Sequence, residues 1–257
     1  MLLIKLSLVP LFILLLSLAS KRWGSFIAGS LSGLPIIAAP ITVFIYLEQG
    51  ETFAIASAHS TLLGIISLGL FCFSYCWAAT TLNWIISLLI SLLVYFAGAY
   101  FIATLFMEPT IALFLVLVSI LIFRNTLPRV TTKESTVEVS LSQTLARMIA
   151  AAILVVTLTW LANIIGTQLT GVLTVFPLAA SILAVFTHIN YSKESVNFML
   201  SGIIVGITSL ATFYYSLLKV SELLSFSASI CVSIIVAVCT QCAILYLSNM
   251  FNTKRMH

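Results

Sequence analysis

Apolar residues run through the chain in nine long stretches: 2–20, 24–47, 52–77, 80–105, 109–124, 142–165, 167–188, 194–218 and 222–248. A helix needs ~20 apolar residues to cross ~30 Å of hydrocarbon, and most of these stretches reach that length. A membrane β-barrel would show ~10-residue segments of alternating character instead. The pattern therefore predicts helices, each bonding its own backbone. The polar segment from Arg124 to Gln143 is the only connector of any size and reads as a solvated loop. The expected fold is all-α, a polytopic transmembrane bundle of about nine spans forming one membrane domain over residues 1–257.

Composition sharpens this picture. Hydrophobic residues make up 61% of the chain and charged ones 7%. A soluble domain carries about 25% charged residues, because its surface must hydrate. The net charge is +4, with no basic run of the kind that binds nucleic acid. In a membrane protein the placement of Lys and Arg matters more than their sum. With the N-terminus outside, Lys21, Arg22, Arg124, Arg129, Lys133, Arg147, Lys193, Lys254 and Arg255 all fall on the cytoplasmic side. Lys5 and Lys219 fall outside. This split follows the positive-inside bias. Trp23, Trp77, Trp84 and Trp160 lie near stretch ends, as interfacial anchors do. Lys5, the apolar run and Ser17-Leu18-Ala19 also fit a signal peptide, although Lys21 and Arg22 would then follow the cleavage site onto the outer face.

The chain resembles itself at an offset of 138 residues. Leu31-Ser32-Gly33 aligns with Leu169-Thr170-Gly171, and Gly64-Ile65-Ile66 with Gly202-Ile203-Ile204. Pro40 and Pro177 agree to within one position. Five spans separate the two starts, and an odd number reverses the direction of the chain. Residues 1–107 and 142–257 thus read as inverted repeats, with 108–141 holding an extra helix and the cytoplasmic connector. Inverted halves can exchange conformations and move a central site from one side to the other.

Candidate chemistry gathers in the second and seventh stretches. There Ser32, Gly33, Pro35 and Pro40 face Thr170, Gly171, Thr174 and Pro177 across the proposed symmetry. Proline removes a backbone donor and frees a carbonyl. Paired interrupted helices point to a transporter's substrate cavity, and small residues at helix contacts produce the same pattern by packing alone. Glu48 and Glu51 flank the next turn, and His59 lies two turns beyond. These three, with Asn197 at the position matching His59, are candidates for coupling or gating. Asn83, Glu108, Asn163, Gln168, His188 and Lys193 lie near stretch ends, where hydration accounts for them. Gln241 is placed to hydrogen-bond between helices, and Arg147 to snorkel to the interface. Cys72, Cys76, Cys231, Cys239 and Cys242 sit in apolar runs and read as packing residues more readily than as metal or redox groups.

The chain has no Asp and no G-x-x-x-x-G-K-[ST] loop, which excludes Asp-rich metal motifs and P-loop ATP binding. No catalytic residue, metal ligand or cofactor is expected. The segments Ile27-Ala28-Gly29 through Pro40, and Leu169 through Phe176-Pro177 to His188, resemble the GlpM family of small bacterial inner-membrane proteins. The resemblance covers about 60 residues in each half, and those family members are about half this length. It implies a fused, inverted pair of such units in a bacterial inner membrane. The plan also resembles that of the drug/metabolite transporters, which have five-helix repeats. The expectation is a carrier for a small or amphipathic molecule, working by alternating access. Its expected partners are membrane lipids and the substrate, with a homodimer among the assemblies. A non-transporting membrane subunit and a lipid-modifying enzyme are the other two readings.

Overall fold

A computed structural model describes residues 2–103, 105, 107–128, 140–165 and 176–254, and every element among them is a helix. In chain order these are α1 (Leu2–Trp23), α2 (Ser25–Leu31), α3 (Ala38–Gln49), α4 (Glu51–Ala78) and α5 (Trp84–Ala103). They continue with α6 (Pro109–Thr126), α7 (Leu141–Ile165), α8 (Leu178–Asn190), α9 (Lys193–Val220) and α10 (Phe226–Lys254). Five helical stretches are long and apolar enough to cross a membrane: Glu51–Ala78, Trp84–Ile102, Pro109–Thr126, Lys193–Val220 and Phe226–Leu247. Large apolar side chains such as Leu93, Phe101, Phe114 and Ile235 point outward. Water would penalise that surface, whereas hydrocarbon solvates it.

Burial separates axis from wall. The most apolar windows of α4 and α9 are 61% and 72% buried, against 22% for those of α5, α6 and α10. The main core cluster joins α4 to α9 through Leu62, Ile65, Phe71, Leu200, Ile204 and Tyr214. The contacts at the two ends fix helix directions. At one end Lys193 Nζ donates to the Thr80 carbonyl at 2.8 Å, and the Tyr191 hydroxyl donates to Gln143 Oε1 at 2.8 Å. That end gathers the last turns of α4 and α8 and the first turns of α7 and α9. At the opposite end Lys219 Nζ pairs with Glu108 at 2.9 Å, and Tyr46 stacks on Phe226 at 4.4 Å. That end gathers the last turns of α3 and α9 and the first turns of α6 and α10. The central helices α4 and α9 therefore run antiparallel.

The second apolar stretch is broken, and its prolines differ in effect. Pro35 has no N–H to offer the Leu31 carbonyl, which accepts from Leu34 N at 3.1 Å instead. Helix α2 stops at Leu31 and the chain resumes as α3 at Ala38. Pro40 lies in the first turn of α3, where proline is tolerated, between Ala39 N and Ile41 N, which bond the Pro35 and Ile37 carbonyls at 2.8 and 3.3 Å. The short α2 packs against α9 along two facing glycine pairs four residues apart, Gly29/Gly33 and Gly202/Gly206. A methyl on any of the four would overlap backbone atoms of the opposite strand of chain, around Met199, Gly206, Phe26 or Ser30. This is small-residue packing that brings two backbones into direct contact.

Single glycines also make two of the reversals. Gly24 and Gly50 have φ of 88° and 83°, a region that L side chains avoid. A Cβ on Gly50 would meet nothing within 4 Å, so its cost is purely conformational. Gly50→Ala is expected to lower stability by roughly 1–3 kcal/mol with the fold retained. Gly206→Ala, which must push two backbones apart, is expected to cost more than Gly50→Ala. Unfolding in detergent, followed by denaturant titration, orders the two. A larger loss at Gly50 would contradict the packing account.

Candidate functional site

The break between α2 and α3 brings several of the expected site residues to the bundle interior. Gly33 and Pro35 are buried, while Ser32 and Pro40 are half-buried. The Ser32 hydroxyl donates to the Gly29 carbonyl at 2.6 Å, so it is spent on its own turn. Pro177 is buried and stands at the N-cap of α8. Thr170, Gly171 and Thr174 lie outside the described residues. The two proline-containing segments approach each other. Leu31 and Ile37 beside the break pack with Ala179 against a cluster of Phe12, Leu16, Leu183 and Met199. Among the described residues the junction is thus lined by aliphatic and aromatic groups, with Gly33 closed against Gly206.

One polar seam crosses behind it. Gln241 Nε2 on α10 donates to Ser30 Oγ on α2 at 2.6 Å, the interhelical bond expected of a mid-helix Gln. Its Oε1 is buried without a partner. On the same face, Ser209 Oγ donates to the Ala237 carbonyl at 2.8 Å and Thr212 meets Thr240 at 3.3 Å.

The expected coupling groups separate into two environments. Glu48 and Glu51 are exposed at the α3–α4 turn. His59 is buried and shares a hydrogen bond with the Met107 carbonyl ahead of α6. Eight residues of helix place Glu51 about 12 Å along the axis from His59, beyond direct pairing. Asn197 is buried on α9 with Oδ1 unpartnered. Of the stretch-end residues, His188 and Glu108 are more engaged than hydration alone requires, while Gln168 and the side chain of Asn163 lie outside the described residues. The ring of His188 meets the hydroxyl of buried Tyr75 at 3.3 Å, and Glu108 caps α6 by accepting from Thr110 N and Ile111 N.

Arg147 corrects the sequence reading most sharply. It does not snorkel to the interface, because its side chain is 0% exposed. It lies on the buried stripe Thr144–Arg147–Ala151 of α7, facing α1. Its Nη1 reaches Ser17 Oγ at 3.5 Å, and its guanidinium lies 5.9 Å from the Phe186 ring of α8. Nε and Nη2 have no partner among the described residues. The cysteines divide also. Cys72 and Cys76 pack in the core as expected, whereas Cys231, Cys239 and Cys242 are free thiols on the outer face of α10. No cluster of three or more His, Cys or Glu able to hold a metal exists among the described residues.

The facing glycine pairs were legible as two four-residue spacings, but nothing local says that they face each other. The burial of Arg147 depends on Ser17, 130 residues earlier, and has no local signal at all. No family model matches the chain, and no curated protein or solved structure matches it.

One electrostatic outcome is testable here. The hydrogen bond from Lys219 holds the Glu108 carboxyl at about 2, below its usual 4.5, with Thr110 and Ile111 adding to the effect. A depressed carboxyl contributes fully above pH 4.5 and loses its contribution as pH falls toward about 2. A carbon-detected NMR titration should place the Glu108 midpoint well under 4.5 and return it toward 4.5 in Lys219→Ala. An unshifted midpoint in the unaltered protein would remove the ion pair from the α6–α9 contact.

Proposed function

We propose that the chain is a multi-pass carrier of the bacterial inner membrane that moves a small or amphipathic molecule by alternating access. In this reading the nine apolar stretches are nine spans, with the N-terminus outside. Residues 1–107 and 142–257 are its two inverted halves. The observation that carries it is the antiparallel matching of helices across the chain. Both α4 and α9 are 28 residues long, while α3 and α8 have 12 and 13 residues. Helices α1 and α7 have 22 and 25 residues, and each partner runs opposite to its mate. Helix α6 stands between the sets as the extra element that reverses the second one. Halves of opposite sense around a broken helix form the arrangement that rocking carriers use. The apolar junction of the two proline-containing segments suits an amphipathic cargo better than a strongly polar one.

The same junction favours a second reading, a non-transporting membrane subunit, because the described part of it is filled by side chains rather than open. The two readings differ in accessibility. Ser32→Cys, in a background lacking the native cysteines and reconstituted in sealed vesicles, is expected to react with a membrane-impermeant thiol reagent from each side in turn. A subunit with a static core would protect that thiol from both sides. His59→Ala is expected to keep the protein folded and to bias the Ser32→Cys reaction toward one side, since it frees the α4 contact to the loop before α6. Two-sided labelling unchanged in His59→Ala would remove His59 from the gate.

A further inference from the structure

Helices α1 and α7 meet along a seam that changes character partway. At its apolar part Val9 and Ile13 of α1 pack on Ala151 of α7 and Ile182 of α8. One turn further the same faces carry Ser17, Arg147 and Phe186, and Ser20, Thr144 and Thr187 are buried in the same turns. Four buried polar atoms there lack partners among the described residues: Arg147 Nε and Nη2, Ser20 Oγ and Thr187 Oγ1. Just outside, Gln143 bridges Asn190 and Tyr191 at 3.3 and 2.8 Å and ties α7 to the end of α8 over this layer.

A buried charge without a counter-ion is costly, and such groups occur paired in lipid-embedded protein. The described residues supply no carboxylate to Arg147. Glu48, Glu51, Glu108 and Glu222 lie at the opposite end of the bundle, and Glu194, half-buried at the start of α9, is engaged by Ser192 and its own backbone N–H. The unpartnered atoms are informative in their geometry. Nε and Nη2 form the side-on edge of a guanidinium, whose two parallel N–H bonds match the two oxygens of a planar oxyanion. The third nitrogen is already directed at Ser17, and the ring of Phe186 backs the group.

We infer that the α1–α7–α8 layer is a binding site for the oxyanion head of an amphipathic molecule, a carboxylate or phosphoester held bidentate by Arg147. Ser20 and Thr187 donate to the same head, and the apolar seam of Val9, Ile13, Ala151 and Ile182, closed on itself in this structure, parts to receive the tail. This rests on the carrier reading for the role of the bound molecule, but the binding is measured without transport, so the two fail separately.

The test uses the full chain in phosphatidylcholine nanodiscs, with decanoate, acetate, inorganic phosphate and decanol as probes. Decanoate should raise the melting temperature saturably and more than acetate or phosphate, and decanol should not. Arg147→Gln should weaken decanoate binding by at least about tenfold, with Arg147→Lys between the two, because it keeps charge without the fork. Without probe, Arg147→Gln should melt above the unaltered protein, since the uncompensated charge is gone. Competition by phosphatidylglycerol built into the discs would identify a lipid headgroup as the source of the same anion. Equal decanoate affinity in the unaltered protein and Arg147→Gln overturns the site. So does an Arg147→Gln that melts lower without probe, which marks a structural arginine. A decanoate affinity that rises when Glu134 and Glu138 are both changed to Gln overturns it as well, because an internal carboxylate then occupies the edge.

Discussion

The contact on which this fold depends is the backbone-to-backbone seating of α2 on α9. Gly29, Gly33, Gly202 and Gly206 let two helices touch with no side chain between them. Dispersion contacts and interhelical hydrogen bonds drive helix association in lipid, where no hydrophobic gain separates one apolar neighbour from another. Close approach multiplies the dispersion contacts, which individually are small. The seating also holds the short α2, whose seven residues are too few to be a stable helix alone. The Ser30–Gln241 bond then fastens α10 to the same point. Helix α2, near the start of the chain, is thereby fixed by one crossing to the last two helices.

The broken second stretch follows from that seating and from Pro35. Helix α2 must end where Gly33 meets Gly206, and Pro35 prevents the helix from continuing. The backbone groups this frees are not left to lipid. Gly33 N bonds the Ser30 carbonyl at 3.2 Å, Ile36 N bonds the Leu34 carbonyl at 2.8 Å, and Ala39 N bonds the Pro35 carbonyl at 2.8 Å. Irregular backbone survives at such a place only when protein surrounds it, and Leu31 and Ile37 are packed into neighbouring clusters. Pro177 stands at the start of α8, whose Ala179 and Leu183 belong to the same cluster.

How much of this could be read beforehand depended on whether the information was local. Stretch boundaries depend on hydropathy, which is a property of neighbouring residues. They fall within a few residues of the ends of α1, α4, α5, α6 and α9. The break near Gly33 and Pro35 was visible for the same reason, because proline acts on the carbonyl four residues earlier. The interhelical role of Gln241 was legible, because an amide in mid-stretch has few other ways to be satisfied. Arg147 was not. Its position six residues into α7 suits an exposed, snorkelling arginine, and only the packing of α1 and α8 around it turns that position inward. His59 could be marked as a group needing a partner, but the partner, the Met107 carbonyl, is 48 residues away.

The equal length of the two central helices has a mechanical consequence. Twenty-eight residues of α-helix extend about 42 Å, some 12 Å more than a typical hydrocarbon core. Antiparallel partners of this length lean steeply or protrude, and the choice between the two depends on bilayer thickness. Because α4 and α9 share one core, a change of lean in one is imposed on the other. The axis of the bundle is therefore loaded by the thickness of the surrounding lipid, and a thin membrane and a thick one hold it at different tilts.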